Sequence, residues 1–303
     1  MPTEMTTSQF HQGQLGLALE TNFGTAPDAM TNFFPFNNDS LRLEQEHVEA
    51  DGMTGDFVGV QDMDVQTTRR VAGGIEIPVR YVDVALLLRL ITGTAASPYI
   101  LTSTLPSFAV QKRVGASDYF RAAGCKIRSA EFSSSQSDQV LKAMLDLLGI
   151  SEARADSGTA ATYSAGSPFL HKQLTLTVGS TSVRASGWTW KIDNQLLEDA
   201  YRNSPTLLAI PRGDRVLVTG TLQGLDWNST NRDLYTQFVN GTWAALEAVY
   251  NDGSNTLTVA CPKIKIPEGT PVNPDSGSVL TDLPYRAKVA AIGDTDIITI
   301  TLA

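Results

Sequence analysis

Leu86-Leu87-Leu88-Arg89-Leu90-Ile91-Thr92-Gly93-Thr94 and Leu234-Tyr235-Thr236-Gln237-Phe238-Val239-Asn240-Gly241-Thr242 are one pattern written twice. Leu86 matches Leu234, Leu90 matches Phe238, Ile91 matches Val239, and Gly93-Thr94 matches Gly241-Thr242. Each copy follows a strand-like run, opened by Arg70-Val71 in the first and by Arg215-Val216 in the second. Further on, Lys126-Ile127 and Val140-Leu141 recur as Lys263-Ile264 and Val279-Leu280. A period of about 150 residues is one small domain duplicated, not a solenoid unit of roughly 20 to 50 residues. A chain that duplicates a domain without adding a catalytic constellation is building a symmetric object.

The spacing on either side of the pattern predicts the elements. Ile75, Ile77 and Val79 alternate with Gly74, Glu76 and Pro78, a strand with one covered face whose end Pro78 puts at an edge or bend. Residues 82–92 read as a helix stopped by Gly93, because glycine accepts the left-handed conformation that closes a helix. Residues 230–240 read as its partner, capped by Asn228-Ser229 and stopped by Gly241. Leu234, Tyr235, Phe238 and Val239 make one apolar stripe on it. Short strands follow each helix, at 99–102, 107–111, 124–133 and 140–147, then at 243–250, 256–266, 279–289 and 296–302. Residues 174–178, 182–192 and 216–222 carry the same signal. The segment 140–148 suits a helix by the i,i+4 spacing of Lys142 and Asp146, but its repeat partner holds Pro284, so a strand is expected.

The fold class is therefore mainly β, with two tandem β-sandwich or barrel domains that each carry one short helix. Residues 1–38 read as an extended arm, 39–150 as the first β domain, 151–168 as a small polar linker and 169–303 as the second β domain. Phe33-Phe34-Pro35-Phe36 sets three aromatics in four residues, so the arm docks on its own body or on a neighbouring subunit. Residues 41–69 alternate loosely and break at Asp51-Gly52 and Gly55, the signature of a long hairpin. Trp188 and Trp190 share a face at period two.

At 303 residues, 42% hydrophobic and 18% charged, the chain holds enough apolar surface for two ordinary cores. Its net charge of −9 excludes a basic face that grips nucleic acid from outside, since such affinity comes from Lys and Arg neutralising phosphates. Asp39, Glu44, Glu46, Glu49, Asp51, Asp56, Asp62 and Asp64 crowd one stretch against Arg42 alone. Either they solvate a strand face or they form a surface that must not hold a passing polyanion. Cys125 and Cys261, at near-equivalent places in the two copies, read as reduced, packed thiols. The polar N-terminus lacks a signal sequence, and the longest apolar run, 82–91, carries Asp83 and Arg89 and is too short for a membrane span.

Catalytic chemistry is missing from the pattern. His11, His47 and His171 stand far from one another, so no zinc site is expected, and no cofactor fingerprint is present. Asp62/Asp64 and Asp294/Asp296 each put two carboxylates on one strand face, yet neither sits in a ligand-dense loop, and both read as solvated acids. The chain is not expected to be an enzyme.

Several stretches resemble the tail tube (major tail) proteins of long-tailed bacteriophages. They are Glu20-Thr21-Asn22-Phe23-Gly24-Thr25, Leu105-Pro106-Ser107-Phe108, Gly124-Cys125-Lys126-Ile127 with Asp146-Leu147-Leu148-Gly149, and Arg215-Val216-Leu217-Val218-Thr219-Gly220-Thr221-Leu222. The most specific is Asp233-Leu234-Tyr235-Thr236-Gln237-Phe238-Val239-Asn240-Gly241-Thr242. Cys261-Pro262 departs from the simpler apolar strand entry expected there. The resemblance implies a virion protein, made in the host cytoplasm, that assembles stacked rings into a hollow conduit for DNA. It also implies inner sheets joined across subunits into one barrel, and tape-measure, tail tip and tail terminator proteins as partners. The resemblance implies six-fold rings for single-domain tube proteins, so with the duplication it implies three copies per ring, with six copies and an outer layer as the other arrangement. Glu44, Glu46, Asp62 and Asp64 are then the expected lumen-facing acids, and Phe33, Phe34 and Phe36 the expected inter-subunit arm. The competing reading is a virion module of two sandwich domains that binds carbohydrate or a receptor, with Trp188, Trp190, Trp227 and Trp243 stacking on sugars.

Overall fold

The computed structural model describes residues 12–49, 64–115, 117–226, 228–267, 270, 280–291, 294 and 296–303. The chain is mainly β. Strands β1 (Gln14–Leu19), β2 (Asn32–Phe34), β3 (Asn38–Asp39), β4 (Arg42–Glu49) and β5 (Asp64–Pro78) lead into helix α1 (Tyr81–Thr92). Then come β6 (Tyr99–Ile100), β7 (Phe108–Val114), β8 (Asp118–Ser135), β9 (Lys142–Gly149) and β10 (Ser151–Ala155). A 3-10 turn, His171–Gln173, precedes β11 (Leu174–Val178), β12 (Thr181–Val183), β13 (Gly187–Asp193) and β14 (Leu217–Asp226). Helix α2 (Ser229–Val239) is followed by β15 (Ala244–Asn251), β16 (Thr256–Lys265), β17 (Leu280–Lys288) and β18 (Thr299–Leu302).

Strand pairing repeats as the sequence does. β1 pairs with β2 and β7, and β11 pairs with β12 and β15. The ladder β5–β9–β8–β7 is matched by β14–β17–β16–β15. β10 lies on β8 as β18 lies on β16. The sequence match slips at one point. Ile75 faces Leu145 and Gly220 faces Tyr285, so the counterpart of Val140-Leu141 lies one residue beyond Val279-Leu280. The buried positions agree, with Ala143, Leu145 and Leu147 matched by Leu283, Tyr285 and Ala287.

The two halves are fused edge to edge. β13 pairs along the C-terminal part of β8, from Ser129 opposite Asp193 to Ser135 opposite Gly187, and β18 pairs with β6. Phe132 on β8 and Trp190 on β13 stack at this joint with ring centroids 4.0 Å apart and planes at 1°. Trp188 and Trp190 are 0% and 1% exposed, inside a core cluster that draws on both halves. Trp188 Nε1 donates to Tyr285 Oη at 3.1 Å, which meets the indole's need for an acceptor when buried. The Tyr285 ring occupies the space left by Gly220, where a Cβ would stand 2.3 Å from the phenol oxygen and 2.3 Å from the Thr189 carbonyl oxygen.

Helix α1 covers the core face of this sheet with Val84, Leu87, Leu88, Leu90 and Ile91, all buried. It opens on Arg80, whose Nε lies 2.5 Å from Asp83 Oδ2, and stops at Gly93, where φ is 92°. Burial pushes the Asp83 carboxyl up and the Arg80 guanidinium opposes that shift. Helix α2 buries Leu234 and leaves Val239 exposed.

Two segments differ from expectation. Residues 151–155, read as linker from their small polar composition, form β10 against β8, because short side chains also suit an edge strand. Residues 14–19, read as arm, form β1 between β2 and β7. Leu15 and Leu17 there are buried, a short apolar run hidden among Gly, Gln and Thr.

Candidate functional site: an exposed sheet face with two open edges

The fusion of the halves makes one antiparallel sheet of eight strands in the order β3, β5, β9, β8, β13, β14, β17, β16. One face packs on the core and α1. The other carries a row of directly opposed residues that crosses all eight strands: Asn38, Glu76, Met144, Glu131, Lys191, Thr219, Arg286 and Lys265. Asn38, Met144, Glu131, Arg286 and Lys265 are exposed and the other three half-buried. Met144, 42% exposed, would be core by sequence pattern alone, but it alternates with Ala143 and Leu145, which take the core face.

An ion network lies on this face. Arg70 Nε is 3.3 Å from Glu44 and its NH1 is 3.0 Å from Glu198. Arg128 holds Glu198 at 2.5 Å and Asp146 at 2.7 Å. Burial lowers the Arg128 pKa, but the hydrogen bonds it donates to Glu198 and Asp146 outweigh that, so the guanidinium is held more firmly charged than usual. Glu198 sits in the loop between β13 and β14, so the network ties β4 and β5 to β8 and β9 through the second half of the chain. The loop's irregular backbone explains why sequence periodicity did not single out Glu198. Lys142 likewise lies 2.5 Å from Asp138 and 3.7 Å from Glu76.

Among the described residues, β3 and β4 pair only with β5. At the other end of the sheet Ala244 of β15 faces Ile264. β15 thus covers this edge of β16 up to Ile264, and only Lys265, the last residue of β16, lies beyond it. Lys263, Lys265, Arg286 and Lys288 cluster here, and none makes an ion pair with a described residue. The Lys265 ammonium lies 5.7 Å from the centre of the Trp243 ring.

The residues expected from sequence divide as follows. Glu44 belongs to the ion network, and Glu46, exposed, accepts from Thr68 Oγ1 at 2.7 Å. Asp64, also exposed, meets His47 Nδ1 at 3.3 Å at the base of the β4–β5 hairpin. Asp62 and Trp227 lie outside the described residues, as does the hairpin tip. Phe33 and Phe34 are 6% and 2% exposed within their own chain. Phe33 meets Tyr163 edge-on at 6.5 Å, and Phe36 packs against the main core. Within one chain these aromatics pack on their own body, which removes their apolar surface from water.

No group of His, Cys, Asp and Glu among the described residues has metal-binding geometry. Cys125 and Cys261 are free and buried, and burial pushes the Cys261 thiol up to about 12 and the Cys125 thiol higher. The burial of Trp188 and Trp190 removes them as sugar platforms. A cleft of about 500 Å³ between the halves, lined by Phe23, Leu105, Lys126, Leu196, Ile210 and Arg212, holds two cations whose pKa values burial lowers. No described helix is long and apolar enough to cross a membrane.

A family model described as phage tail tube protein matches residues 11–303. No curated protein matches the chain. The chain belongs to the phage tail tube protein family and is a structural subunit of the tail tube.

Proposed function

Taking tail tube membership as the premise, we propose that three copies of this chain close their eight-stranded sheets into one ring, and that stacked rings form the conduit through which DNA passes. The observation that carries this reading is the sheet itself, exposed on one face and, among the described residues, left unpaired along β3 and β4 at one edge and past Ile264 at the other. Open edges are a liability that full closure removes. A barrel of eight strands is filled by its own side chains, whereas larger barrels enclose a channel. Three copies bring about 24 strands, and at about 4.8 Å per strand with a strand tilt of about 40° the wall is about 150 Å around and about 48 Å across. The duplication supports three copies, because two equivalent halves per chain give six equivalent positions per ring.

The exposed face is the proposed lining. Arg70 and Arg128 on it are already engaged by Glu44, Glu198 and Asp146. Phosphate grip depends on cations free to neutralise the backbone, so engaging Arg70 and Arg128 removes two of the cations on this lining that DNA could hold. Glu44 and Glu46 contribute to it, and Asp64 stands at its margin on the hairpin arm. Synthesis takes place in the host cytoplasm. The tape-measure, tail tip and terminator proteins are the proposed partners inside and at the ends of the tube.

Negative-stain electron microscopy of the purified protein across a concentration series, with and without a tail tip complex as seed, tests this. Hollow tubes or stacked rings support it. A monomer under every condition contradicts it.

A further inference from the structure

We propose that the cleft between the two halves is a binding site for a small organic carboxylate, an acid group carried on an aromatic or branched apolar body. The site stands independently of how copies of the chain assemble. Four segments build it. Phe23 comes from the β1–β2 loop, Leu105 from the β6–β7 connection, Lys126 from β8, and Leu196, Ile210 and Arg212 from the β13–β14 loop. Leu105, Leu196 and Ile210 belong to a small apolar cluster separate from the main core, completed by Leu148 and Leu207. They give the cleft apolar walls, while Phe23 keeps 37% of its surface exposed, apolar area that an enclosed ligand would cover. A volume of about 500 Å³, apolar walls and a few polar groups are the properties of a small-molecule site, and such sites favour the junction of two units of a fold.

Charge selects the sign of the ligand. Lys126 and Arg212 are the two charged residues of the lining, and no acid lines it. Both are half-buried, and neither makes an ion pair with a described residue. By contrast Arg80 and Arg128 each meet acids of their own chain. Neutral groups hold the two cleft cations in place instead. Lys126 Nζ donates to the Ile210 carbonyl oxygen at 3.0 Å and stands 5.4 Å from the centre of the Phe23 ring. Arg212 Nη2 donates to Asn194 Oδ1 at 2.7 Å. Asn194 is 0% exposed and is itself fixed by donating to the Ile91 and Ile127 carbonyl oxygens. Arg212 Nε is buried with no hydrogen-bond partner among the described residues.

Burial lowers both pKa values, and the Arg212 charge pushes Lys126 the same way. Charges withdrawn from water are costly unless an opposite charge meets them. A carboxylate in the cleft relieves the repulsion between the two cations and offsets their desolvation. A bare inorganic anion would leave the apolar walls and Phe23 uncovered. A neutral apolar molecule would leave the cations unpaired. A ligand with both parts satisfies both.

The test is isothermal titration calorimetry of the full chain with 1-naphthylacetate and with its uncharged isostere, 1-naphthylacetamide. The expected result is saturable binding of the acid at one site per chain, with the amide about tenfold weaker or more, the effect of losing a charge-assisted hydrogen bond. Lys126→Gln should weaken the acid about tenfold and leave the amide unchanged, whereas Lys126→Arg keeps the affinity. Phe23→Ala, a change at an exposed side chain, should weaken acid and amide alike. Thermal melts establish that each variant is folded. Equal affinity for acid and amide overturns the charge selection, as does a folded Lys126→Gln variant that binds the acid like the parent. Inorganic phosphate competing as strongly as naphthylacetate overturns the apolar part. Naphthylacetate released when chains assemble into tubes means that a neighbouring chain's acid fills the cleft, and overturns the small-ligand assignment. No heat with either probe at millimolar concentration overturns the site itself.

Discussion

Arg128 reaches two acids from different parts of the chain, Asp146 on β9 and Glu198 in the β13–β14 loop. Its side chain is about a third exposed, so solvent screens part of the gain. Arg128→Ala is nevertheless expected to cost about 1–2 kcal/mol, because it leaves two carboxylates side by side and breaks hydrogen bonds to charged groups. Chemical denaturation of the variant at low and high salt checks this, with a smaller loss at high salt. The buried thiols give a second prediction. An unfolded cysteine ionises near pH 8.5, whereas burial holds Cys261 protonated to about 12 and Cys125 beyond that. The folded state therefore binds more protons than the unfolded state above about pH 8.5, and stability falls as pH rises through that point. The loss approaches about 1.4 kcal/mol per pH unit for each thiol. Cys125→Ala or Cys261→Ala should flatten the slope by one thiol's share in denaturation curves between pH 8 and 10. Above that range Tyr250 and Tyr285, both raised by burial, add to it. The burial of both cysteines was legible in the sequence. The Arg128 network was not, since Glu198 comes from a loop with no periodicity.

Among the elements, the joint of β8 with β13 carries the most weight. Phe132 stacks flat on Trp190 across it, and Phe132→Ala should destabilise the chain by about 3–5 kcal/mol through lost burial and the cavity left behind. Gly220→Ala should cost about 1–3 kcal/mol by overpacking, because the new methyl meets both Tyr285 and the Thr189 carbonyl. Thermal melts of both variants by circular dichroism read these losses directly. The helices were legible because each ends at a glycine in the left-handed region, Gly93 at φ 92° and Gly241 at φ 63°. The strands after them were legible from alternation. β1 and β10 were not, since Gly, Ser and Ala in short strands look like loop composition. Pairing across the halves could not be read from pattern at all, because register between distant strands leaves no local trace.

For the whole molecule, one core cluster spans both halves, from Leu15 to Ile300. The chain should therefore unfold in a single cooperative step, with coincident fluorescence and circular dichroism transitions. Two separated transitions would restore the picture of independent tandem domains. In the ring proposed above, the exposed face of this sheet lines the tube. The measurement that tests this most directly is electron cryomicroscopy of the assembled tubes, counting chains per ring in end-on averages. The account predicts three chains in six near-equivalent positions, with an inner sheet wall about 48 Å across at the backbone. Six chains in one ring, or an inner wall built from another sheet, would contradict it.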